Sequence, residues 1–183
     1  MLRESYIGRA IIRAALRDLE ELSEVDVAIV GAGPSGLTAT YYLAKEKFKV
    51  VVFERRFSFG GGIGPGGNML PRIAFQEDSL PILEELEVRY ERTEFGVYVV
   101  DHSVLIAKLA SKAIDAGAKI LLGAHVEDVI YKLDPPRVTS ILWIWTPIQI
   151  SGMHVDPLYT EAKAIVDATG RDAVILVLSK PRL

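Results

Sequence analysis

The chain has 183 residues, half of them hydrophobic and a quarter charged, which suffices for a packed core in about one domain and excludes a disordered chain. Its net charge of −3 disfavours a general nucleic-acid-binding protein, and the absence of cysteine excludes disulfides, thiolate metal sites and a cysteine nucleophile. Neither a signal peptide nor an apolar run of about 20 residues is visible, so we expect a cytoplasmic protein with no nucleic-acid or membrane partner.

The N-terminal segment 1–22 predicts an amphipathic helix over residues 4–22, because its apolar residues recur at helical spacing. We expect this helix to pack on the domain; a contact with another subunit is the alternative. An apolar strand over 25–30, a glycine turn, a helix over 35–46 and a second buried strand over 49–53 follow. Together they form a complete strand–turn–helix–strand unit.

A second glycine cluster occupies residues 60–67 and predicts a loop, since six of its eight residues are glycine. The rest of the chain is predicted to contain helices over 76–87 and 104–116, strands over 97–100, 119–122 and 162–167, and a β-hairpin within 125–146. This order predicts an α/β fold: a doubly wound, Rossmann-like sheet of the FAD/NAD(P)-binding type, with a β-hairpin or meander insertion. We expect residues 1–183 to form a single dinucleotide-binding domain.

The glycine turn predicts a nucleotide site. Gly31 permits the tight turn, Gly33 lets a diphosphate approach the backbone, and Gly36 lets the helix lie close to the strand. The amide groups at the helix N-terminus favour the phosphates. Glu54 ends the following strand, where its carboxylate can accept hydrogen bonds from ribose hydroxyls and repel a 2′-phosphate. NAD, FAD or another adenine dinucleotide is therefore favoured over NADP, and the second glycine loop offers a further nest of amides.

Reactive side chains concentrate in a later segment. His154 and Asp156 are two residues apart, so in an extended segment they point the same way, toward one metal or one substrate. A solvent-exposed loop histidine beside an aspartate is the alternative. His102 and His125 have no partner nearby in sequence, and we expect them to be ordinary surface or core residues.

Several segments together resemble the thiamine thiazole synthase family, most closely its archaeal, sulfide-dependent branch. They are Gly31–Leu37, Val51–Arg55, Gly60–Ile63, Val126–Val129, Trp145–Pro147, Met153–Leu158 and Asp167–Gly170. The resemblance implies an enzyme of thiamine biosynthesis that makes an adenylated thiazole (ADP-thiazole) from NAD, glycine and sulfide. NAD would be consumed as a carbon skeleton after losing nicotinamide. The resemblance also implies a homo-oligomer, in the family an octamer, with active sites between subunits.

The resemblance assigns roles to individual residues. Those matching family positions that hold NAD or the adenylated product are Ser35, Glu54, Arg55, Gly61, Gly62 and Val126. The segment His154, Val155 and Asp156 matches one that reaches the ligand from a neighbouring subunit, with His154 and Asp156 as catalytic residues. His154 stands where the eukaryotic branch has a sulfur-donating cysteine, so the implied sulfur source is external sulfide. Asp156 matches an iron(II) ligand.

The chain departs from the family pattern at two points. Arg171 stands where the family has a histidine that also binds iron, and an arginine has no lone pair to give a metal. The family also continues beyond the last residue of this sequence, so we expect the chain to lack a C-terminal part. These departures favour, as an alternative, a catalytically impaired dinucleotide-binding relative; an FAD-dependent oxidoreductase is a further alternative on the first motif alone.

Overall fold

The computed structural model describes residues 3–64 and 68–180. The helices are α1 Glu4–Glu21, α2 Pro34–Lys45, α3 Leu80–Glu85, α4 His102–Asp115, α5 Thr146–Ser151 and α6 Val174–Ser179. The strands are β1 Glu24–Val30, β2 Val50–Glu54, β3 Arg72–Phe75, β4 Tyr90–Arg92, β5 Tyr98–Asp101, β6 Lys119–Leu122, β7 Ala124–Leu133, β8 Pro136–Trp145 and β9 Leu158–Asp167. Among the described residues, no helix has the length and apolar character to cross a membrane.

The main sheet has the strand order β6-β2-β1-β9-β8-β7. Strands β6, β2, β1 and β9 run parallel, while β8 and β7 are antiparallel to their neighbours. Side chains alternate between two cores: Val50 and Val52 face one, and Val51 and Phe53 face the other. The predicted Rossmann-type α/β class is therefore confirmed, with the predicted hairpin β7–β8 added at one edge of the sheet.

The core between the sheet and the helices α2 and α4 is built from predicted elements. Leu37 and Ala44 of α2 and Leu105 and Leu109 of α4 are buried against Val52 of β2. Helix α4 begins two residues before the predicted start at 104, because the Asp101 carboxylate accepts hydrogen bonds from the amides of Ser103 and Val104 in the first turn. It ends at the turn of Gly117, which has φ 107°. These contacts fix the helix that follows the glycine turn against the sheet.

The N-terminal helix α1 is present as predicted, but it lies on the domain only at its C-terminal end. No residue of α1 is buried, and Ile11 and Leu16 are 63% and 60% exposed. The adjoining Leu22 belongs to the core, and Asp18 forms an ion pair with Lys119. The expectation that this helix packs on the domain is therefore wrong for most of its length.

The structure also contains elements that the sequence did not predict. The predicted strand at 97–100 is present as β5, but it belongs to a separate antiparallel sheet of order β3-β5-β4. The strand predicted at 162–167 is longer, because β9 begins at Leu158 and its first residues pair with β8. Helix α5 joins β8 to β9 and ends at Gly152, which adopts a left-handed conformation with φ 69°.

Candidate nucleotide-binding site

The first glycine turn requires glycine for two measurable reasons. Gly31 has φ +105°, and a Cβ atom there would lie 2.5 Å from the carbonyl oxygen of Ala168 at the end of β9. A Cβ atom on Gly36 would lie 2.0 Å from the carbonyl oxygen of Gly31. At this turn β1, α2 and the end of β9 lie so close together that neither Gly31 nor Gly36 can carry a side chain. Both glycine assignments agree with the geometry that the sequence predicted.

Helix α2 presents free backbone amides to the space above this turn. Its N-cap is Gly33 and its first residue is Pro34, and no described side chain caps it. Ser35 and Gly36 are therefore in the first turn, where amide groups have no acceptor within the helix. Together with the helix dipole, these amides form a site suited to a phosphate group.

The second glycine loop packs directly against the first. The amide of Gly60 donates a 2.8 Å hydrogen bond to the carbonyl of Ala32. Gly61 has φ +53°, and a Cβ atom there would lie 3.0 Å from the Cα atom of Gly33. The Arg56 guanidinium donates a 2.9 Å hydrogen bond to the carbonyl of Gly61. The loop therefore packs over the first turn; its residues 65–67 lie outside the described residues.

Glu54 joins the two glycine segments. Its side chain is only 5% exposed. One carboxylate oxygen accepts a 2.8 Å hydrogen bond from the amide of Ala32, and the other accepts a 2.8 Å hydrogen bond from the amide of Arg56. The carboxylate therefore holds both walls in place, a structural role that the sequence did not reveal. Each oxygen keeps a further lone pair, so the carboxylate can still accept a hydrogen bond from a ribose hydroxyl.

These elements enclose a cavity of about 380 Å³. Its lining includes most of the predicted nucleotide-binding residues: Gly31, Gly33, Ser35, Glu54, Arg55, Gly61, Gly62 and Val126. Gly36 lies outside the lining and acts instead by allowing the close contact between α2 and the turn. The single cavity thus brings together residues that are separated by more than ninety positions, from Gly31 to Val126.

The cavity also contains residues that the sequence did not suggest. Arg56 and the segment 169–172 line it, and so does His125, in contrast to the expectation that it is an ordinary surface or core residue. Burial lowers the pKa of His125 from its ordinary value; the charge of Glu127 opposes this shift and the charge of Arg55 adds to it. His125 therefore faces the cavity as a neutral imidazole at neutral pH. Its position beside Val126 on β7 is the signal that could have identified it.

A larger and more open groove of about 770 Å³ lies beside α4. Apolar side chains such as Phe59, Ile106 and Ile114 form much of its wall. It shares Arg56 and Gly61 with the smaller cavity but has neither the amides of the α2 N-terminus nor Glu54. The smaller cavity is therefore the one that contains the groups suited to phosphate and ribose.

The segment carrying the predicted catalytic residues lies apart from this cavity. His154, Val155 and Asp156 are exposed, follow α5 without regular structure, and are absent from the cavity lining. Their neighbours Met153 and Tyr159 are also exposed, at 64% and 67%. The structure therefore does not bring His154 and Asp156 to the nucleotide cavity of their own chain.

The family resemblance implies an iron(II) ion, and the described part of the chain does not supply a complete ligand set for it. Over residues 3–64 and 68–180, no three His, Cys, Asp or Glu side chains lie close enough together to hold a metal ion. Arg171 lines the cavity, but its guanidinium has no lone pair to donate. The described residues of one chain, with Asp156 as the expected ligand, therefore do not form an iron site.

Sequence comparison decides the family. A family model described as the Thi4 family matches residues 8–183. The chain belongs to the Thi4 family. A protein of Pyrobaculum aerophilum named thiamine thiazole synthase is 69% identical over 173 residues, which are 94% of this chain and 66% of that protein. A Sulfolobus acidocaldarius protein of the same name is 47% identical over 180 residues, covering 98% of this chain and 68% of the relative. This Thi4 chain thus spans about two thirds of the length of these relatives.

Structural comparison agrees with the family assignment. The crystal structure of Thermovibrio ammonificans THI4 superposes with a TM-score of 0.94 at 42% identity, covering 99% of this chain and 71% of that chain. An L-proline dehydrogenase from P. horikoshii matches with a TM-score of 0.65 at 14% identity, covering 86% of this chain and 56% of that chain. The second likeness concerns the fold alone. The Thi4 chain therefore has a Rossmann-type fold that is also found in oxidoreductases.

Proposed function

We propose that this Thi4 chain binds NAD and takes part in the synthesis of an adenylated thiazole from NAD, glycine and sulfide, a step of thiamine biosynthesis. The observation that carries the proposal is the cavity of about 380 Å³ formed by two glycine loops, a buried carboxylate and the open N-terminus of α2. Relatives named thiamine thiazole synthase, at 47% and 69% identity, support the reaction.

Within the cavity, each group has a distinct task in the proposed reaction. The amides near Ser35 and Gly62 hold the diphosphate, because backbone donors and the helix dipole favour negative charge there. Glu54 accepts a ribose hydroxyl and disfavours a 2′-phosphate, so NAD is bound in preference to NADP. Val126 and the neutral His125 lie on β7, where they can contact the apolar part of the ligand. NAD then loses nicotinamide, and its ADP-ribose portion becomes the carbon skeleton.

The second half of the active site is proposed to come from another copy of the chain. The segment His154–Asp156 is exposed and lies outside its own cavity, which suits residues that reach a neighbour. Exposed apolar side chains flank it, among them Ile150, Met153 and Tyr159. The exposed apolar face of α1 offers a further contact between subunits. We propose a homo-oligomer on these grounds, and an octamer from the family resemblance.

Sulfur must come from outside the protein in this proposal. The chain has no cysteine, so it cannot donate sulfur from its own side chain as the eukaryotic branch does. His154 stands at the position in question, and an imidazole carries no sulfur. Free sulfide is therefore the proposed donor, and an enzyme that does not consume itself can turn over repeatedly.

The test is a reconstitution followed by mass spectrometry. The protein is incubated with NAD, glycine and sulfide, with and without added iron(II), and the products are examined for nicotinamide and an adenylated thiazole. The proposal expects both products, and it expects no adenylated thiazole when glycine or sulfide is omitted. NAD binding without thiazole under every condition would instead indicate a dinucleotide-binding relative without this activity. The presence of Arg171 and the incomplete metal site favour that second candidate.

A further inference from the structure

One cation in the nucleotide cavity has no partner among the described residues. Arg171 lines the cavity and is exposed, but it forms no hydrogen bond or ion pair with any residue of 3–64 or 68–180. The other two arginines of the lining are engaged. Arg55 pairs with Asp172 at 3.1 Å, and Arg56 donates to the carbonyl of Gly61. Among the described lining residues, Arg171 is therefore the arginine whose guanidinium is not engaged by the protein.

The loop that carries Arg171 is fixed by hydrogen bonds to the end of β9. One carboxylate oxygen of Asp167 accepts from the amide and hydroxyl of Thr169 at 3.1 and 2.6 Å. The other accepts from the amide of Ile175 at 2.9 Å. The hydroxyl of Thr169 in turn accepts from the amide of Val174 at 2.8 Å. The backbone on both sides of Arg171 is thus held in place, which lowers the cost of ordering the loop when a ligand binds.

This loop also crosses the first glycine turn. The carbonyl of Ala168 is the atom that a Cβ on Gly31 would approach to 2.5 Å. Arg171 follows three residues later and lines the same cavity as the turn that offers amides to a diphosphate. The carboxylates of the lining do not compete for it, because Glu54 is held by two amides and Asp172 by Arg55.

We propose that Arg171 binds the diphosphate of the adenine dinucleotide and supplies a permanent positive charge opposite the amides of α2. A guanidinium cannot ligate a metal, but it binds phosphate oxygens through paired hydrogen bonds. The assignment rests on the proposed function, since it concerns the same cavity. This role gives Arg171 a function in ligand binding at the position where the family resemblance implies a metal-binding histidine.

The experiment is isothermal titration calorimetry of the full chain with ADP-ribose, ADP and adenosine. Arg171→Gln is the test variant, and Arg137→Gln, at an exposed site on the hairpin, is the matched control. The loss of a charge-assisted hydrogen bond should weaken ADP-ribose and ADP binding by about 10- to 100-fold in Arg171→Gln. Adenosine binding should stay unchanged, Arg171→Lys should be intermediate, and Arg137→Gln should match the wild type.

Different failures have different meanings. Equal ADP-ribose affinity of Arg171→Gln and the wild type, within twofold, overturns the role of Arg171 while leaving the nucleotide site intact. A loss for ADP-ribose without a loss for ADP also overturns it, because the contact would then lie on the distal ribose. A wild-type protein that binds none of the three ligands overturns the proposed function together with this inference. Equal melting temperatures of all four proteins show that any loss of affinity is local.

Discussion

Replacing Gly36 by alanine tests how tightly the glycine turn and helix α2 are packed. The new Cβ atom would lie 2.0 Å from the carbonyl oxygen of Gly31 and 3.1 Å from the Cβ atom of Ala168. Cβ atoms essentially never approach another atom closer than 3.0 Å, so α2 must move by at least about 1 Å. The main contact is with a backbone carbonyl oxygen, and the position of a Cβ atom is fixed by its own backbone, so no side-chain rotation relieves it.

We expect this displacement to cost about 2 kcal/mol in the free energy of unfolding, within the range of about 1–3 kcal/mol for overpacked sites. The greater helix propensity of alanine offsets at most about 1 kcal/mol of the strain. A protein of this size should then melt about 4–8 °C lower. NAD affinity should also fall, because the amides of the first turn of α2 move with the helix.

Circular dichroism melting of Gly36→Ala, wild type and Gly8→Ala measures this effect. Gly8 lies in exposed helix α1, and a Cβ atom there meets nothing within 4 Å. Alanine at Gly8 should therefore leave stability unchanged or raise it by up to about 1 kcal/mol. A Gly36→Ala protein that melts at the wild-type temperature would refute the close contact between turn and helix.

Further expectations concern buried polar groups and charge. Glu54→Gln should lower the free energy of unfolding in urea by about 2 kcal/mol, because a side-chain amide has one oxygen and cannot accept from both backbone N–H groups that the carboxylate binds. Unchanged stability would contradict the role of Glu54 in holding the amides of Ala32 and Arg56. Thr160→Val should cost about 1–3 kcal/mol, because it leaves the buried Trp143 indole N–H without its 3.2 Å acceptor; a Thr139→Val control at an exposed site should cost little. Hydrogen bonds from a lysine and two tyrosines lower the Glu85 pKa from 4.5 to about 2, so its stabilising effect is present above pH 4.5 and is lost as pH falls toward 2. In Glu85→Gln the melting temperature should fall less between pH 4.5 and 2 than it does in the wild type. An equal fall in both proteins would contradict the stabilising hydrogen bonds of Glu85 with the lysine and the two tyrosines.

The part of the fold that sequence predicts best is the unit that forms the nucleotide site. Strand β1 is apolar and buried over its last four residues, Val27–Val30, the glycines follow at once, and Glu54 ends a strand whose residues are all buried. Each of these features is local in sequence and has one dominant physical cause. The roles of Gly31 and Gly36 could therefore be predicted, and the distances to Ala168 and within the turn account for them.

Elements that depend on distant contacts were harder to predict. Strand β4 has three exposed residues, and β3 four residues with alternating exposure, so neither carries a strong pattern. The exposed apolar face of α1 has the same periodicity as a packed helix, so its sequence cannot reveal what covers it. His125 lines the cavity only because β7 passes beside β2, a contact between residues far apart in the chain. The double role of Glu54 as acceptor for two amides likewise depends on the folded loop.

Calorimetric titration of NAD into the wild type and Gly33→Val tests the central claim that this cavity binds an adenine dinucleotide. Gly33 has φ −75° and ψ 179°, which any residue adopts, and the nearest atom to a Cβ there is 3.9 Å away. The variant should therefore fold with the wild-type melting temperature while its side chain fills space beside the diphosphate. We predict saturable NAD binding by the wild type and none by Gly33→Val. No binding by the wild type, or equal binding by both proteins, would contradict the assignment of the cavity.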